Sequence, residues 1–316
     1  MTRKPAHTIR PPRPSKTGAK PPSTSGTKPL AKAVASSAAK PAPKSQPNAA
    51  PATAAAPGAT PAGERIAKVL SRAGIASRRD AEIMIVEGRI SVNGRKLTSP
   101  ALNVSAADRI EVDGKPLNAP EPPRLWLYHK PAGLVTTARD EKGRQTIFEA
   151  LPEDLPRVMS VGRLDLTSEG LLLLTNDGGL KRRMELPATG WLRRYRVRMR
   201  GIPKDEDFAP LRAGLKIDGE KFQPMQVTLD RQQGANAWAT VGLREGRNRE
   251  IRRAMESIGF SVNRLIRISY GPFQLGQLQP GAVEEVRAKI LRDQLGLAEA
   301  SPSQKPTRQP RRPRNS

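Results

Sequence analysis

The sequence contains no cysteine and only two histidines, His7 and His129. Without cysteine the chain cannot form disulfides, zinc–thiolate sites or a thiol nucleophile, which also excludes the cysteine-dependent route for methylating a pyrimidine carbon. With so few histidines, neither a His-rich metal site nor a Ser-His-Asp triad is expected. We therefore predict no metal site. An enzyme built from this chain must use Asp, Glu, Lys, Tyr, Ser or Thr.

Long apolar runs and nucleotide-binding glycine patterns are also missing. No apolar run approaches the ~18 residues of a membrane span, the longest leucine block being residues 171–174, and no secretory h-region is present. Neither G-x-x-x-x-G-K-[ST] nor a G-x-G-x-x-G pattern after a strand occurs. We expect a cytoplasmic protein without membrane contact that works without any cofactor.

Acidic residues are absent from both ends of the chain. Residues 1–63 hold ten Lys or Arg and residues 301–316 hold five, with no Asp or Glu in either stretch. Segments rich in Pro, Ala and Lys bury too little apolar surface to offset chain entropy. We predict a disordered basic extension over 1–63 and a disordered basic tail in the C-terminal segment 291–316.

The role of the extension stays open between an electrostatic tether to RNA and a solvated spacer. Its composition also resembles an organellar transit peptide, but its thirteen prolines oppose the amphipathic helix that such a peptide needs. Over the whole chain, 55 Lys and Arg stand against 30 Asp and Glu, a net charge of +25. This excess favours a polyanionic partner, above all nucleic acid.

Residues 64–117 have the pattern of two short helices followed by a hairpin. The segment IAKVLSRAG carries apolar residues at i, i+3, i+4 and i+7 and ends at Gly74. Ser77 and Asp80 form a capping box that begins a second helix, and Asn93-Gly94 predicts a tight turn between short strands. Residues 118–124 are a short Pro-rich linker.

The segment IAKVLSRAGIASRRDAEIMIVEGRISVNG resembles the S4 RNA-binding domain. The resemblance implies that this module docks on RNA, by shape and phosphate contact more than by base reading. Its basic side chains come from the first helix and from the start of the second. The candidate RNA-binding residues are Arg65, Lys68, Arg72, Arg78 and Arg79.

Residues 125–290 predict a larger domain of strands and short helices. Residues 171–174 read as a buried strand, and EGRNREIRRAMESIG reads as a loop and then a helix. Residues 195–200 alternate, with Tyr195, Val197 and Met199 on one side and arginines on the other, which predicts a strand with one basic face. Without regular βαβ units, the fold class is α+β, with a mixed, largely antiparallel sheet flanked by helices.

Four segments of this domain resemble, in order, the motifs of one group of rRNA pseudouridine synthases. The group includes type A, which acts on small-subunit rRNA, and types B, E and F, which act on large-subunit rRNA. The segments are HKPAG, GRLDLTSEGLLLLTNDG, RRYRV and EGRNREIRRAMESIGFSVNRLIRISYGPF. An S4 domain ahead of the catalytic domain is usual in that group. GRQTIF and NREIRR are most similar to its type B, which implies a target in large-subunit rRNA.

The resemblance implies three catalytic residues. Asp165 falls on the catalytic aspartate, Tyr195 on the active-site tyrosine and Arg252 on the basic residue of the last motif. We expect Arg252 to pair with Asp165 and keep it ionised, and Tyr195 to stack on the uracil. Further candidates for binding substrate or RNA are Arg163, Arg249 and Arg253.

The activity implied is the conversion of a specific uridine in large-subunit rRNA to pseudouridine. Asp165 could attack covalently or remove the C2′ proton, and the sequence leaves both routes open. Two alternatives remain: the same chemistry on small-subunit rRNA or another RNA, and a non-catalytic S4-type RNA-binding factor of ribosome assembly. We expect a monomer whose partner is RNA.

Overall fold

A computed structural model describes residues 63–296 of the chain. The predicted basic extension, apart from residue 63, and the predicted basic tail, apart from residues 291–296, lie outside the described residues. No helix in the described range is long and apolar enough to cross a membrane.

The N-terminal module contains two helices, α1 (Ile66–Arg72) and α2 (Arg78–Val86). Its strands are short: β1 Glu64–Arg65, β2 Ile90–Val92, β3 Arg95–Lys96, β4 Asn103–Val104, β5 Ile110–Val112 and β6 Lys115–Pro116. Four of them form an antiparallel sheet in the order β3-β2-β5-β6, while β1 pairs with β4. The predicted order of helix, helix and hairpin is confirmed.

Local sequence explains where these elements begin and turn. The Ser77 hydroxyl accepts a hydrogen bond from the Asp80 backbone N–H at 3.2 Å, which caps α2 as predicted. Asn93 and Gly94 both have positive φ, 51° and 77°, as a two-residue turn between β2 and β3 requires. Apolar side chains such as Ile66 and Ile85 form a core within the module.

The larger region is built on one nine-stranded sheet. Its strands, with the separate hairpin β11–β12, are β7 Leu125–Lys130, β8 Met159–Val161, β9 Glu169–Thr175, β10 Arg193–Arg200, β11 Leu215–Ile217, β12 Glu220–Phe222, β13 Gln226–Gln233, β14 Asn236–Leu243, β15 Ser261–Tyr270, β16 Phe273–Gln274 and β17 Val283–Glu285. The order is β13-β14-β10-β15-β9-β7-β17, with β8 beside β9 and β16 beside β15. Only β9 and β15 pair in parallel within this described sheet. The predicted mixed, largely antiparallel sheet is confirmed.

Four helices of the described residues accompany the sheet: α3 Gly178–Glu185, α4 Ala209–Ala213, α5 Glu250–Ser257 and α6 Ala288–Leu295. Short 3₁₀ turns cover Phe148–Ala150, Pro187–Thr189 and Asp205–Phe208. The residues that follow β9 lead directly into α3. Asp177 caps this helix, because its Oδ1 accepts a hydrogen bond from the Leu180 N–H at 2.7 Å.

Strand β9 is apolar on both faces because each face is covered. Leu172 and Leu174 join a core that includes side chains of α4 and α5, whereas Leu171 and Leu173 join a second core with side chains of α3 and α6. Since successive residues of a strand point to opposite faces, an unbroken leucine run is the pattern of a central strand covered on both sides.

Gly170 allows β9 to lie close to β15. Its φ is +103°, and a Cβ atom built there would lie 2.4 Å from the carbonyl oxygen of Arg267. Only glycine fits this backbone approach. The loop that precedes β9 is therefore held against the central strand of the sheet.

The predicted domain boundary at residue 290 falls inside α6. Leu291 and Leu295 of this helix are buried in the core that also holds Leu171 and Leu173. We propose that the larger domain covers 125–296, after the module at 64–117 and the linker at 118–124.

Candidate active site

A cavity of about 1360 Å³ opens on the sheet face that carries Tyr195. Its floor includes Tyr195 of β10 with Leu265 and Arg267 of β15. Its walls come from the loop before β9 and from residues 243–251, which lead into α5. The cavity thus brings together segments that are far apart in the sequence.

Asp165 lies half-buried in the loop before β9 and lines this cavity. The backbone around it is tied down: the Thr136 hydroxyl donates to the Leu164 carbonyl at 2.7 Å, and the Ser168 N–H donates to the Asp165 carbonyl at 3.0 Å. Within residues 63–296 its carboxylate accepts no hydrogen bond and forms no ion pair closer than 4.0 Å. The backbone that carries Asp165 is therefore held in place, and the carboxylate oxygens are open to a ligand.

Lys130, at the end of β7, is fully buried beneath this loop. Its ammonium donates to the carbonyls of Pro131 at 2.9 Å, Asp165 at 3.3 Å and Ser168 at 2.9 Å. Burial lowers the pKa of Lys130 to about 8, against the opposing charges of Asp165 and Glu169. We did not predict Lys130 as a site residue. Its position at the end of an apolar strand, directly before a proline, was a signal that this lysine is buried.

Arg252, in α5, does not form the predicted direct pair with Asp165. Its guanidinium donates to the Val262 carbonyl at 2.7 Å and the Thr167 carbonyl at 3.2 Å, and no carboxylate of the described residues lies within 4.0 Å of it. These carbonyls are the acceptors that the fold offers to its two terminal nitrogens, while its buried Nε has no hydrogen-bond partner among the described residues. Burial and the charge of Arg249 lower the pKa of Arg252, while the charge of Asp165 opposes that shift.

Tyr195 lies on the floor of the same cavity. It is 9% exposed, lines the cavity with Asp165, and pairs in register with Val241 on one side and Arg267 on the other. Its flat ring therefore forms part of the floor on which a planar group could stack.

Of the three remaining predicted binding residues near the cavity, two line it. Arg163 is exposed and has no ion pair among the described residues, and Arg249, the residue before α5, has a φ of +49°. Arg253 instead points to the β11–β12 hairpin, where it pairs with Glu220 at 2.7 Å and Asp218 at 3.5 Å. We predicted that Arg253 binds RNA, but its charge is already shared by two carboxylates.

Arg267 was missed by the sequence reasoning. It is 2% exposed, its Nε donates to the Leu171 carbonyl at 2.7 Å, and its guanidinium lies 5.2 Å from the ring centre of Tyr270. Its buried Nη2 has no hydrogen-bond partner in the described part of the chain. The signal was an arginine within the apolar alternation of β15, at a position that faces the cavity.

A buried carboxyl group supports the wall that leads into α5. Glu250 is 4% exposed and accepts a hydrogen bond from the Arg247 N–H at 2.9 Å. Burial raises its pKa, and neighbouring Glu245 adds to that increase. No group of His, Asp or Glu side chains among residues 63–296 could hold a metal ion.

The basic residues predicted on the first helix of the N-terminal module are partly compensated. Lys68 pairs with Glu64 at 2.6 Å, and Arg72 lies 3.5 Å from Glu64 and 3.6 Å from Asp177. Their free charge is therefore smaller than their number suggests.

Arg65, Arg78 and Arg79 are exposed and form no ion pair within the described range. Arg78 and Arg79 lie in the first turn of α2. These three side chains are free to meet an anionic ligand.

Comparison with known proteins gives the family. Residues 124–257 match the family described as RNA pseudouridylate synthase, and residues 64–110 match the S4 domain. A Rickettsia felis protein named "Uncharacterized RNA pseudouridine synthase" is 50% identical over 231 residues, which cover 72% of this chain and 99% of that protein. This chain belongs to the RNA pseudouridine synthases.

Two further relatives of this RNA pseudouridine synthase carry the name "Ribosomal large subunit pseudouridine synthase B". The Haemophilus influenzae protein is 40% identical over 245 residues, covering 74% of this chain and 69% of that protein. The Pseudomonas aeruginosa protein is 41% identical over 246 residues, covering 74% and 63%. A structure described as "Crystal structure of pseudouridylate synthase" aligns with a TM-score of 0.52 at 24% identity, covering 74% of this chain and 100% of that one, which supports the same fold.

The predicted resemblance and the predicted enzyme class are confirmed. This pseudouridine synthase is an isomerase with an S4 domain ahead of its catalytic sheet, and its S4 domain is an RNA-binding module. Asp165, Tyr195 and Arg252 all fall within the matched region 124–257, whereas Arg267 lies beyond its end.

Proposed function

We propose that this synthase converts a uridine of large-subunit rRNA to pseudouridine, with Asp165 as its nucleophile or base. The observation that carries the proposal is the joint position of Asp165 and Tyr195 at one cavity, with the Asp165 carboxylate free of bonds to the described residues. The names of the Haemophilus influenzae and Pseudomonas aeruginosa relatives favour the large-subunit target. Because ribosomal RNA is the substrate, the proposal includes a cytoplasmic site of action.

The reaction conserves every atom of the nucleotide. The N1–C1′ bond breaks, the uracil turns, C5 bonds to C1′, and the proton lost from C5 is balanced by one gained at N1. Nothing is oxidised and no group is donated, so the chain's own residues suffice. Asp165 either attacks the sugar or base covalently or removes the C2′ proton, and both routes need an ionised carboxylate.

Three cations support that ionised carboxylate without bonding to it directly. Lys130 and Arg252 hold the carbonyls of the loop that carries Asp165, and their positive charges interact favourably with it. Arg267 adds a buried guanidinium on the cavity floor. A positive surrounding offsets the cost of removing the carboxylate from water when the substrate closes the cavity.

The substrate base must leave its stack to reach Asp165. We propose that the flipped uracil stacks on Tyr195, and that Arg163 and Arg249 hold phosphates beside the opening. Farther away, Arg65, Arg78 and Arg79 of the S4 domain would contact the backbone of the same RNA.

The test is a site-by-site map of pseudouridine in rRNA from cells that lack this protein, rescued with the wild type or with Asp165→Asn. We expect one large-subunit position to lose pseudouridine and to regain it only with the wild type. Asp293→Asn is a matched control, because Asp293 is an exposed carboxylate on α6. Loss of pseudouridine at a position in small-subunit rRNA would overturn the proposed large-subunit target. If deletion leaves the map unchanged and Asp165→Asn fully restores the growth of the deleted cells, a non-catalytic assembly factor is favoured.

A further inference from the structure

The face of the sheet opposite the cavity carries arginines that the proposed chemistry does not use. Because side chains alternate along a strand, Tyr195 points to the cavity while Arg194, Arg196 and Arg198 of β10 point to the other face. The cavity and these arginines are therefore on opposite sides of one sheet.

Strand pairing extends this basic stripe across four strands. Arg231 of β13 lies opposite Trp238 of β14, Trp238 lies opposite Arg198, and Arg198 lies opposite Arg264 of β15. Directly paired residues share a face, so these four side chains form one row about 14 Å long at roughly 4.8 Å per strand. We call the surface formed by this row with Arg194 and Arg196 the arginine face.

The acidic residues on this surface compensate only part of its charge. Glu169 pairs with Arg264 at 2.6 Å, and Asp230 lies 3.8 Å from Arg196. The remaining three arginines form no ion pair within the described residues; they are Arg194, Arg198 and Arg231. The arginine face thus has a net positive charge with nothing in the described chain to neutralise it.

An aromatic side chain holds part of the arginine face in position. The guanidinium of Arg196 lies 5.0 Å from the ring centre of Trp238, which is itself 9% exposed. A guanidinium stacked on a buried ring keeps its planar fork at a fixed height above the sheet. Less conformational entropy is then lost when the arginine meets an anion.

No helix of residues 63–296 covers this surface. Side chains of α4 and α5 pack in the core behind Tyr195 and Val197, and side chains of α3 and α6 pack against β7 and β9. Arg194 and Arg231 are exposed. The surface is therefore open to a partner.

We propose that the arginine face binds the sugar–phosphate backbone of a second segment of the RNA substrate, apart from the segment that enters the cavity. The proposal rests on the RNA-binding part of the proposed function. Guanidinium groups at strand spacing suit phosphate oxygens, to which they donate in a fork. Such contacts would position a large, folded RNA without reading its bases.

A second copy of the chain fits this surface less well. A two-fold symmetric contact would place the same arginines against each other, and the chain as a whole carries a net charge of +25. Like charges brought together in this way oppose association. Charge complementarity therefore favours a polyanion.

The test compares R194Q/R198Q with a charge-matched control, R287Q/K289Q, in the full chain. Arg287 and Lys289 are exposed at the start of α6 and form no ion pair in the described range. Two RNA probes are used: an unmodified transcript of large-subunit rRNA and an oligouridylate too short to reach around the sheet. Dissociation constants are measured over a range of salt concentrations.

We expect R194Q/R198Q to bind the long transcript about tenfold more weakly near 0.1 M salt, with a log–log salt slope shallower by about 1.4–1.8. Its binding to the oligouridylate, and all binding by the control, should match the wild type. R194K/R198K keeps both positive charges and should retain most of the affinity for the long transcript and most of the salt slope. This variant changes side-chain volume little, so it tests whether the charge accounts for the loss of binding in R194Q/R198Q.

Three results would overturn the proposal. The first is unchanged binding of the long transcript, and the second is equal weakening for both probes, which would locate the effect in the cavity. The third is a wild-type dimer that R194Q/R198Q separates without any loss of RNA affinity. Because binding and pseudouridine formation are measured separately, a wild type that forms no pseudouridine would refute the proposed chemistry and leave the binding result standing.

Discussion

The cavity lined by Asp165 and the S4 domain are both surrounded by basic side chains, but they differ in how those side chains are bonded. Around the cavity, Lys130, Arg252 and Arg267 are buried or part-buried and donate to backbone carbonyls. In the S4 domain, Arg65, Arg78 and Arg79 are exposed and have no ion pair among the residues described.

The difference separates two uses of positive charge. Buried cations that donate to carbonyls fix the shape of the loop beside Asp165, and their effects are screened little by salt. Exposed cations produce a field that attracts RNA phosphates, and their effects fall as salt rises. Substitutions around the cavity should therefore have large effects on activity or stability that do not depend on salt. Substitutions in the S4 domain should have small effects on RNA binding that do depend on salt.

The largest effect is expected at Asp165, whose carboxylate lines the cavity without a bond to any of the described residues. Asp165→Asn keeps the shape but can neither attack nor take a proton, so we expect at least about a 10³-fold loss of pseudouridine formation. Loss of the C5 proton from labelled RNA measures it, with Asp293→Asn as the control. RNA affinity should stay within about twofold of the wild type at every salt concentration. Retained turnover would exclude Asp165 as the reacting group.

The variant Lys130→Met tests whether a buried cation fixes the shape of the loop, through the free energy of unfolding and its pH dependence. Lys130→Met removes the hydrogen bonds to three carbonyls and leaves those of Pro131 and Ser168 without a donor, whereas the Asp165 carbonyl keeps the Ser168 N–H. We expect the free energy of unfolding to fall by about 2–3 kcal/mol near neutral pH. Chemical denaturation measures this loss.

The pH dependence of stability sharpens the same test. Because the pKa of Lys130 is about 8 in the folded chain and 10.5 ordinarily, the unfolded chain binds more protons between these values. The wild-type free energy of unfolding should therefore gain a rising contribution from pH 8 to pH 10.5, absent from Lys130→Met. Parallel pH profiles for the two proteins would contradict a buried, charged Lys130.

Arg252→Lys separates charge from geometry at the cavity. Lysine keeps the positive charge near Asp165 but cannot bridge the carbonyls of Val262 and Thr167 with a planar fork. We expect kcat to fall by about 10–100-fold with little change in KM, and the loss should be the same at low and high salt. An equal kcat would show that charge alone matters at this position.

The smallest effect is expected in the S4 domain, from a matched pair of variants. Arg79→Gln removes an unpaired charge, and we expect RNA binding to weaken about two- to threefold with a salt slope shallower by about 0.7–0.9. Lys68→Gln should cost less, because Glu64 already lies 2.6 Å from Lys68. Equal losses of RNA affinity at the two positions would show that the ion pair with Glu64 does not reduce the contribution of Lys68 to RNA binding.

Much of the fold could be predicted, because its elements follow from local patterns. The capping box at Ser77, the Asn93-Gly94 turn and the alternation around Tyr195 each depend on a few neighbouring residues. The C-terminal end of the larger domain could not be predicted in this way, because the burial of Leu291 and Leu295 depends on leucines of β9 that lie far away in the sequence.

The candidate site was predicted in part. Asp165 and Tyr195 were identified through the resemblance of their segments, and the cavity brings them together. The bonding of Arg252 and the engagement of Arg253 by Glu220 were not foreseen, because a charged residue bonds to whichever acceptors the fold brings near it. Sequence spacing cannot give those acceptors.

By itself, the sequence determined the types of element, the two-part organisation and the carboxylate that we propose as the reacting group, since periodicity and motifs are local properties of the chain. The tertiary structure decided which cations are buried and which are free. Gly170 lets β9 approach β15, and this contact sets Lys130 and Arg267 among backbone carbonyls from distant segments. Burial and hydrogen-bond geometry are properties of that assembled sheet. Only the folded chain therefore shows which basic residues hold backbone carbonyls in place and which are free to meet RNA.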